Sequence, residues 1–349
     1  MKDGARARTF HSQSAGNGVA EAEPGTAEGA FPTLADVLAA ARRLQGVVRR
    51  TPLERSAWLS ERARTDVWLK LETHQRTGSF KLRGAYNAVA TLSGEARARG
   101  LVTASAGNHG QGVALAASLA GLPPAVVFVP ASAPEAKKRR IARYGADLRP
   151  VQGTYDDAHH AALAHAERTG GYFVNAFSDP AVVAGQGTAG LEIVQDLPGV
   201  RTILVPVGGG GISGGVGIVA RAMGSGIRVI GVQTEATSAM HASLAAGRVV
   251  SPPCGATLCE GLEGDVDEPG LALASRVLDG VVLVTEAAVR RAMRLLFQEE
   301  GIVAEGSAAV GVAALLEGAV ERVEGPAAIV LTGGNVDGDR LAGILAERD

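Results

Sequence analysis

From Asp66 onward the chain alternates short runs rich in β-branched residues with longer Ala-rich segments, and this alternation leaves few folds open. The short runs are 67–71, 101–105, 125–129, 172–175, 202–207, 229–232, 281–285 and 328–332, each of strand length. Between them, residues 108–120, 134–144, 155–168, 287–300 and 307–317 carry helical spacing and good helix formers. Parallel strands need long crossovers, usually helical, so the repetition predicts an α/β fold with parallel sheets covered on both faces. Open sheets of this kind bind ligands where the strands end and the next helices begin. Those ends hold the glycines: Ala104-Ser105-Ala106-Gly107-Asn108-His109-Gly110, then Gly208-Gly209-Gly210-Gly211-Ile212-Ser213-Gly214-Gly215, then Thr332-Gly333-Gly334-Asn335.

A chain of 349 residues is room for about two domains at roughly 150 residues each. Hydrophobic residues at 46% and charged residues at 20% place it among globular proteins rather than disordered ones. The 34 Lys and Arg against 36 Asp and Glu leave no net field to gather nucleic acid or an anionic membrane. Aromatics at 4% are too sparse for single-strand stacking platforms, so a nucleic-acid partner is not expected. The apolar stretch 113–131 is broken by Gly121-Leu122-Pro123-Pro124, which predicts a helix followed by a strand instead of a membrane span. Residues 1–30 have no apolar segment and read as a disordered tail, not a secretory signal. Two cysteines, Cys254 and Cys259, make neither a disulfide scaffold nor a zinc site, so a reducing, cytoplasmic setting is expected.

Consecutive glycines opening a helix turn several backbone N–H groups outward at the positive end of the helix dipole, a cradle for phosphate. Gly209, Gly211 and Gly214 also satisfy G-x-G-x-x-G, with Glu235 where a dinucleotide-binding fold keeps its ribose acid. On this cluster alone a nicotinamide dehydrogenase or a non-catalytic phosphate binder stays open. Lys81 follows the turn Thr77-Gly78-Ser79, beside Phe80 and at the start of a helical run. Lysines at helix starts are usually surface residues. Here apolar neighbours can desolvate the amine and lower its pKa toward a working nucleophile, a task the dehydrogenase reading leaves unused.

Six motifs occur in order: Thr77-Gly-Ser-Phe-Lys81, Ser105-Ala-Gly-Asn108-His-Gly-Gln-Gly112, Asp179-Pro with Ala184-Gly-Gln-Gly-Thr188, Gly208 to Gly211, Glu305-Gly-Ser-Ala-Ala and Thr332-Gly-Gly-Asn335. With them the chain resembles the fold-type II pyridoxal-phosphate enzymes, in particular the serine/threonine dehydratase (threonine ammonia-lyase) and serine racemase branch, from about residue 33 to its end. The resemblance implies a tryptophan-synthase-beta-like fold with two open, twisted, mostly parallel sheets flanked by helices. It implies a large cofactor-binding domain of residues 31–96 plus 177–349, a small mobile domain of residues 97–176, and a homodimer. The cofactor would be pyridoxal 5'-phosphate, with Lys81 forming the internal aldimine and acting as catalytic base. Phe80 stands beside it, Asn108 would bond the cofactor's 3-oxygen, and Gly208, Gly209, Gly210 and Gly211 would hold its phosphate. The Thr332 hydroxyl would face the pyridine nitrogen, and Glu305 would lie near the cofactor. The loop Ser105, Ala106, Gly107, Asn108 and His109 opens a helix and is expected to take the substrate carboxylate. The implied reaction is α,β-elimination of a β-hydroxy L-amino acid, foremost L-threonine or L-serine, to a 2-oxo acid and ammonia.

Departures from the branch refine this. Racemases resembling this chain carry a serine where it has Ala106, and alanine cannot exchange a proton, which favours dehydration. Their divalent-cation site uses acidic residues where this chain has Gln233 and Ala239, so no metal is expected there. Threonine dehydratases often read Glu at the position of Gln233, and Ala-Asp-Gly where this chain has Cys259-Glu260-Gly261-Leu262-Glu263-Gly264-Asp265 beside the substrate region. Dehydration of phenylserine, hydroxyaspartate or a hydroxyectoine-derived amino acid, serine racemisation, and β-replacement stand as alternatives. Only a helix over 340–347 is expected after Asn335, with no regulatory domain. His159, His160 and His165, and the run Lys137-Lys138-Arg139-Arg140, read as solvated helix faces. Asp156 and Asp157 charge a helix start, and the cysteines read as packing residues.

Overall fold

The computed structural model describes residues 31–347 apart from Ser225 and Asp265, so the tail expected over 1–30 lies outside the described residues. In chain order the described strands are β1 (Leu53–Ser56), β2 (Val67–Leu71), β3 (Leu101–Ala104), β4 (Val126–Pro130), β5 (Asp147–Val151), β6 (Tyr172–Phe173), β7 (Thr202–Pro206), β8 (Arg228–Thr234), β9 (Gly280–Val284) and β10 (Ala327–Leu331). They form a six-stranded sheet, β1-β2-β10-β7-β8-β9, and a four-stranded sheet, β5-β4-β3-β6. All neighbours pair parallel except β1, which runs antiparallel to β2.

The sheets are apolar on both faces because alternate residues of each strand enter different cores. In the larger sheet Ala328 and Val330 join Ile203 and Val205 on one face, while Ile329 and Leu331 join Leu204 and Ile230 on the other. The smaller sheet divides the same way, with Leu101, Val127 and Val129 on one side and Val102, Ala104 and Phe128 on the other. Each fully buried Leu or Ile of this set stabilises the fold by about 1.5–3 kcal/mol. Helix Tyr155–Thr169 shows the local logic. Thr154 and Asp157 cap it reciprocally, and Ala158, Ala162 and Ala166 recur every four residues to bury its face against the smaller sheet.

Two strands escape sequence reading, and both are edges. β1 reads Leu-Glu-Arg-Ser and β5 reads Asp-Leu-Arg-Pro-Val, with Pro150 tolerated because an edge strand can spare an N–H. β6 ends at Phe173, two residues early, because the Asn175 side chain accepts from the N–H groups of Phe177 and Ser178 and turns the chain. The stretch 113–131 divides as expected into helix Asn108–Leu119 and β4, and no described helix is long and apolar enough to cross a membrane.

Three surface expectations are corrected. The basic run is not simply solvated: Lys137 pairs with Glu260, and Arg140 donates to the carbonyls of Asn335 and Val336 at 3.1 Å each. Three-residue spacing puts these two on one side of helix Glu135–Ala142, facing the larger sheet's part of the chain. His159 packs edge-on to Phe173 and His165 lies against Phe128, half-buried, whereas His160 is exposed. Cys259 is a core residue as expected, but Cys254 is exposed.

Candidate active site

The carboxyl ends of β3, β7 and β10 and the turn after β2 supply the site, each leading directly or through a short loop into a helix. Helices Lys81–Thr91, Asn108–Leu119, Gly211–Ala222 and Gly306–Glu317 all begin without a side-chain cap. Elsewhere Thr33, Ser56, Ser93, Thr154, Asp179, Asp267, Thr285 and Asp337 cap their helices, while Glu135–Ala142 and Ala239–Ala246 also start uncapped. Uncapped starts keep N–H groups and the positive dipole end available to an anion.

Lys81 opens its helix with its Nζ 5.1 Å from the centre of the Phe80 ring and 3.2 Å from the carbonyl of Ala176. Burial lowers its ammonium to about 8, against the opposing pull of Glu305. The turn before it is zipped to the end of β10. Phe80 N–H donates to Thr332 O at 3.0 Å, Gly334 N–H donates to Gly78 O at 2.9 Å, and Ser79 bridges Gly333.

Behind Lys81, the same helix is anchored by Arg83, which is completely buried. Arg83 binds Glu72 through Nε and Nη2 at 2.8 Å each and Glu192 through Nη1 and Nη2 at 2.7 and 2.8 Å. Lys70 completes a charge-balanced quartet with bonds to Glu192 at 2.6 Å and Thr51 O at 2.7 Å. Burial alone would raise the Glu72 carboxyl, but Arg83 more than offsets it and holds it below the usual range.

Asn108 donates from Nδ2 to Glu305 Oε1 at 2.7 Å, and Asn335 donates from Nδ2 to Asn108 Oδ1 at 2.8 Å. Glu305 also accepts the Asn335 N–H at 3.2 Å, yet burial prevails and pushes its carboxyl up to about 7. In the asparagine loop, Ser105 Oγ accepts the Gly107 N–H at 3.1 Å, and space beside Gly107 is open. Ala106 is half-buried at the same loop. The His109 side chain turns away: its Nε2 meets Val174 O at 2.9 Å, and burial drives the imidazole to about 3, so it is neutral. Its Nδ1 is buried without a partner.

Gly208, Gly209, Gly210 and Gly211 join β7 to helix Gly211–Ala222, and Gly210 has φ +99°, which β-carbon-bearing residues rarely adopt. Phe177 lies so close to this loop that a Cβ on Gly209 would sit 2.5 Å from its ring. Gln186 donates to Ala176 O at 3.3 Å, the same carbonyl that Lys81 uses, and leaves its Oε1 buried beside Gly211 without a partner. Thr332 is buried at the end of β10. The structure thus brings Lys81, Phe80, Asn108, Glu305 and Thr332 into one bonded neighbourhood, with the glycine loop joined to it through residues 176–177.

Sequence reasoning gave no role to Asn335, Phe177 or Gln186. Asn335 and Gln186 stood inside quoted motifs, so a signal was present. Phe177 had none, because its place depends on how residues 175–179 turn.

Residues 44–333 match the family model described as pyridoxal-phosphate dependent enzyme. The chain belongs to the pyridoxal-phosphate dependent enzymes, in the serine/threonine dehydratase family. It is 45% identical to the L-threonine ammonia-lyase of Thermotoga maritima, a match covering 90% of this chain and 78% of that protein. Among solved structures it resembles maize serine racemase, with a TM-score of 0.85, 29% identity, and coverage of 89% of this chain and 96% of that one. It also resembles processed threonine deaminase isoform 2 from Solanum lycopersicum, with a TM-score of 0.84, 34% identity and coverage of 90% of both chains.

The residues of this pyridoxal-phosphate enzyme fit its cofactor. Lys81 has a carbonyl as its hydrogen-bond partner and no ion pair among the described residues, the glycine loop ends in an uncapped helix, and Ser79 Oγ is buried without a partner. The family assignment also removes the nicotinamide alternative. Glu235 begins a short 3₁₀ turn after β8, and the G-x-G-x-x-G match carries no dinucleotide role.

Proposed function

We propose that this enzyme is an ammonia-lyase that dehydrates a β-hydroxy L-amino acid, L-threonine or L-serine, to a 2-oxo acid and ammonia. The observation that carries the reading is Lys81: a buried amine held by a carbonyl beside the Phe80 ring and lowered to about 8, among helix starts free to bind anions. The names of the relatives from Thermotoga maritima and Solanum lycopersicum support threonine as substrate.

Pyridoxal phosphate, when bound, supplies the electron sink that stabilises negative charge at the substrate's α-carbon. Lys81 would be the residue that carries it and the base that removes the α-proton, a role matched to an amine lowered to about 8. Gly208 to Gly211 would hold the phosphate and Asn108 the 3-oxygen, with Glu305 fixing the Asn108 amide and Thr332 meeting the ring nitrogen. The N–H groups of 105–109 would receive the substrate carboxylate. Ala106 has no group to return a proton from the opposite face, which supports elimination over racemisation. In balance, one water leaves across the α,β-bond and one re-enters by hydrolysis, releasing the nitrogen as ammonia.

Residues 97–176, which contain the whole smaller sheet, would close on the rest to exclude water. The reading includes a cytoplasmic homodimer; two cysteines, with no disulfide between them, support the compartment. The test is the visible spectrum of purified protein and of Lys81→Ala, followed by 2-oxo acid release from L-threonine and L-serine. A band lost with Lys81, together with turnover, supports the reading. A band without turnover on either amino acid refutes the substrate assignment.

A further inference from the structure

Four hydrogen bonds meet at Asn335, from four separate parts of the chain besides its own. Its Nδ2 donates to Thr77 O and to Asn108 Oδ1, both at 2.8 Å, its N–H donates to Glu305 Oε2, and its carbonyl accepts from Arg140 Nη1. The turn before Lys81 closes on the same side chain. Gly78 has φ +69°, and a Cβ there would stand 2.7 Å from Asn335 Oδ1. Both amide donors of Asn335 are used, and this fixes Asn108. With a donor on its Oδ1, Asn108 must present Nδ2 to Glu305, and the reverse amide orientation would set donor against donor.

Arg140 belongs to helix Glu135–Ala142, between β4 and β5 of the smaller sheet. The same helix docks through Lys137 on Glu260, which Arg340 also holds at 2.9 Å, but Arg140 alone of these reaches a residue bonded to the site. We infer that Asn335 is a positioning residue that transmits the docking of helix Glu135–Ala142 to Asn108 and Glu305, so that the site is fully assembled only when the two sheets are closed on each other. The inference deepens the proposed function and rests on it for the meaning of the assembled site.

The test compares wild-type holoenzyme with Arg140→Ala, Arg140→Lys, Asn335→Ala and the double alanine variant. The readouts are the pH titration of the bound cofactor's visible band and backbone hydrogen exchange over residues 105–110. Both single alanine variants are expected to move the titration in the same direction and to speed exchange about five- to tenfold, the worth of one or two hydrogen bonds. The double variant should go no further than the larger single one, because the two residues act in series. Arg140→Lys should recover part of the effect, and kcat should fall about 10- to 100-fold in the alanine variants with a smaller change in KM.

Additive effects in the double variant, or an unchanged band and unchanged exchange in Arg140→Ala, would overturn the inference. If Asn335→Ala does not fold, the contrast between Arg140→Ala and Arg140→Lys decides by itself. Neither the band nor the exchange uses substrate. Absence of 2-oxo acid release by wild type therefore counts against the proposed function and leaves these two readouts standing.

Discussion

Lys81 has a cost in stability that can be measured without any substrate. Replacing it by methionine keeps an unbranched chain of similar length and removes the amine. In the cofactor-free protein, burial lowers the Lys81 ammonium from 10.5 to about 8, so the folded state resists protonation that the unfolded chain accepts. Below pH 8 the full penalty applies. Between pH 8 and 10.5 the unfolded chain still binds the proton and the folded one does not, so stability rises with pH across that window. At 1.36 kcal/mol per pH unit the interval corresponds to about 3 kcal/mol. Urea unfolding of both cofactor-free proteins from pH 6.5 to 10.5 is the assay. Lys81→Met should be more stable by about 3 kcal/mol at the acid end, with the difference narrowing above pH 8 as wild type recovers. Titrations of groups not coupled to Lys81 cancel in the comparison, and because Glu305, which is coupled to it, titrates at about 7, the decisive interval is pH 8 to 10.5. A stability difference that stays constant across the range would refute the reasoning, because it would show that the amine titrates alike in the folded and unfolded chain.

Three further outcomes follow from the same structure. Glu192→Gln leaves Arg83 and Lys70 with one carboxylate between them inside the core, and urea unfolding should show a loss of about 3–5 kcal/mol, whereas a loss below 1 kcal/mol would contradict the quartet. Glu305 has its carboxyl raised from 4.5 to about 7, so its protonated form favours the fold below pH 4.5 and that advantage disappears as pH rises through 7; relative to Glu305→Gln, cofactor-free wild type should lose about 3 kcal/mol over this interval, and parallel pH curves would show otherwise. Gly209→Ala drives a Cβ into the Phe177 ring, so the cofactor's dissociation constant, measured by fluorescence titration, should rise about tenfold or more.

The parallel sheets were legible because strands buried on both faces read as apolar runs regardless of their partners, and Ala328 to Leu331 is such a run. The edge strands were not. β1 and β5 are half-exposed and polar, and what makes them strands is the neighbour that offers a hydrogen-bonding edge. The site divides likewise. Asn108 and Gly208 to Gly211 follow the ends of apolar runs and Lys81 follows the Thr77-Gly78-Ser79 turn at a helix start, where composition and local turn chemistry mark them. Phe177 acquires meaning only from lying against Gly209, and Arg140 looked like one of four interchangeable surface cations until its carbonyl partners were in view.

The amino-acid sequence by itself determined the sheet type, the loops where a ligand can bind, and the lysine suited to nucleophilic work, because these follow from periodicity, glycine and helix-start chemistry over a few neighbouring residues. Only the tertiary structure decided which side of His109 meets the site, that Glu305 shares a proton-sensitive network with Asn108 and Asn335, and that a basic helix of the smaller sheet fastens onto that network. Each of these depends on groups as many as 227 residues apart meeting within 3.2 Å, where burial and directional hydrogen bonds set orientation and charge. Such pairings exist only in the folded chain.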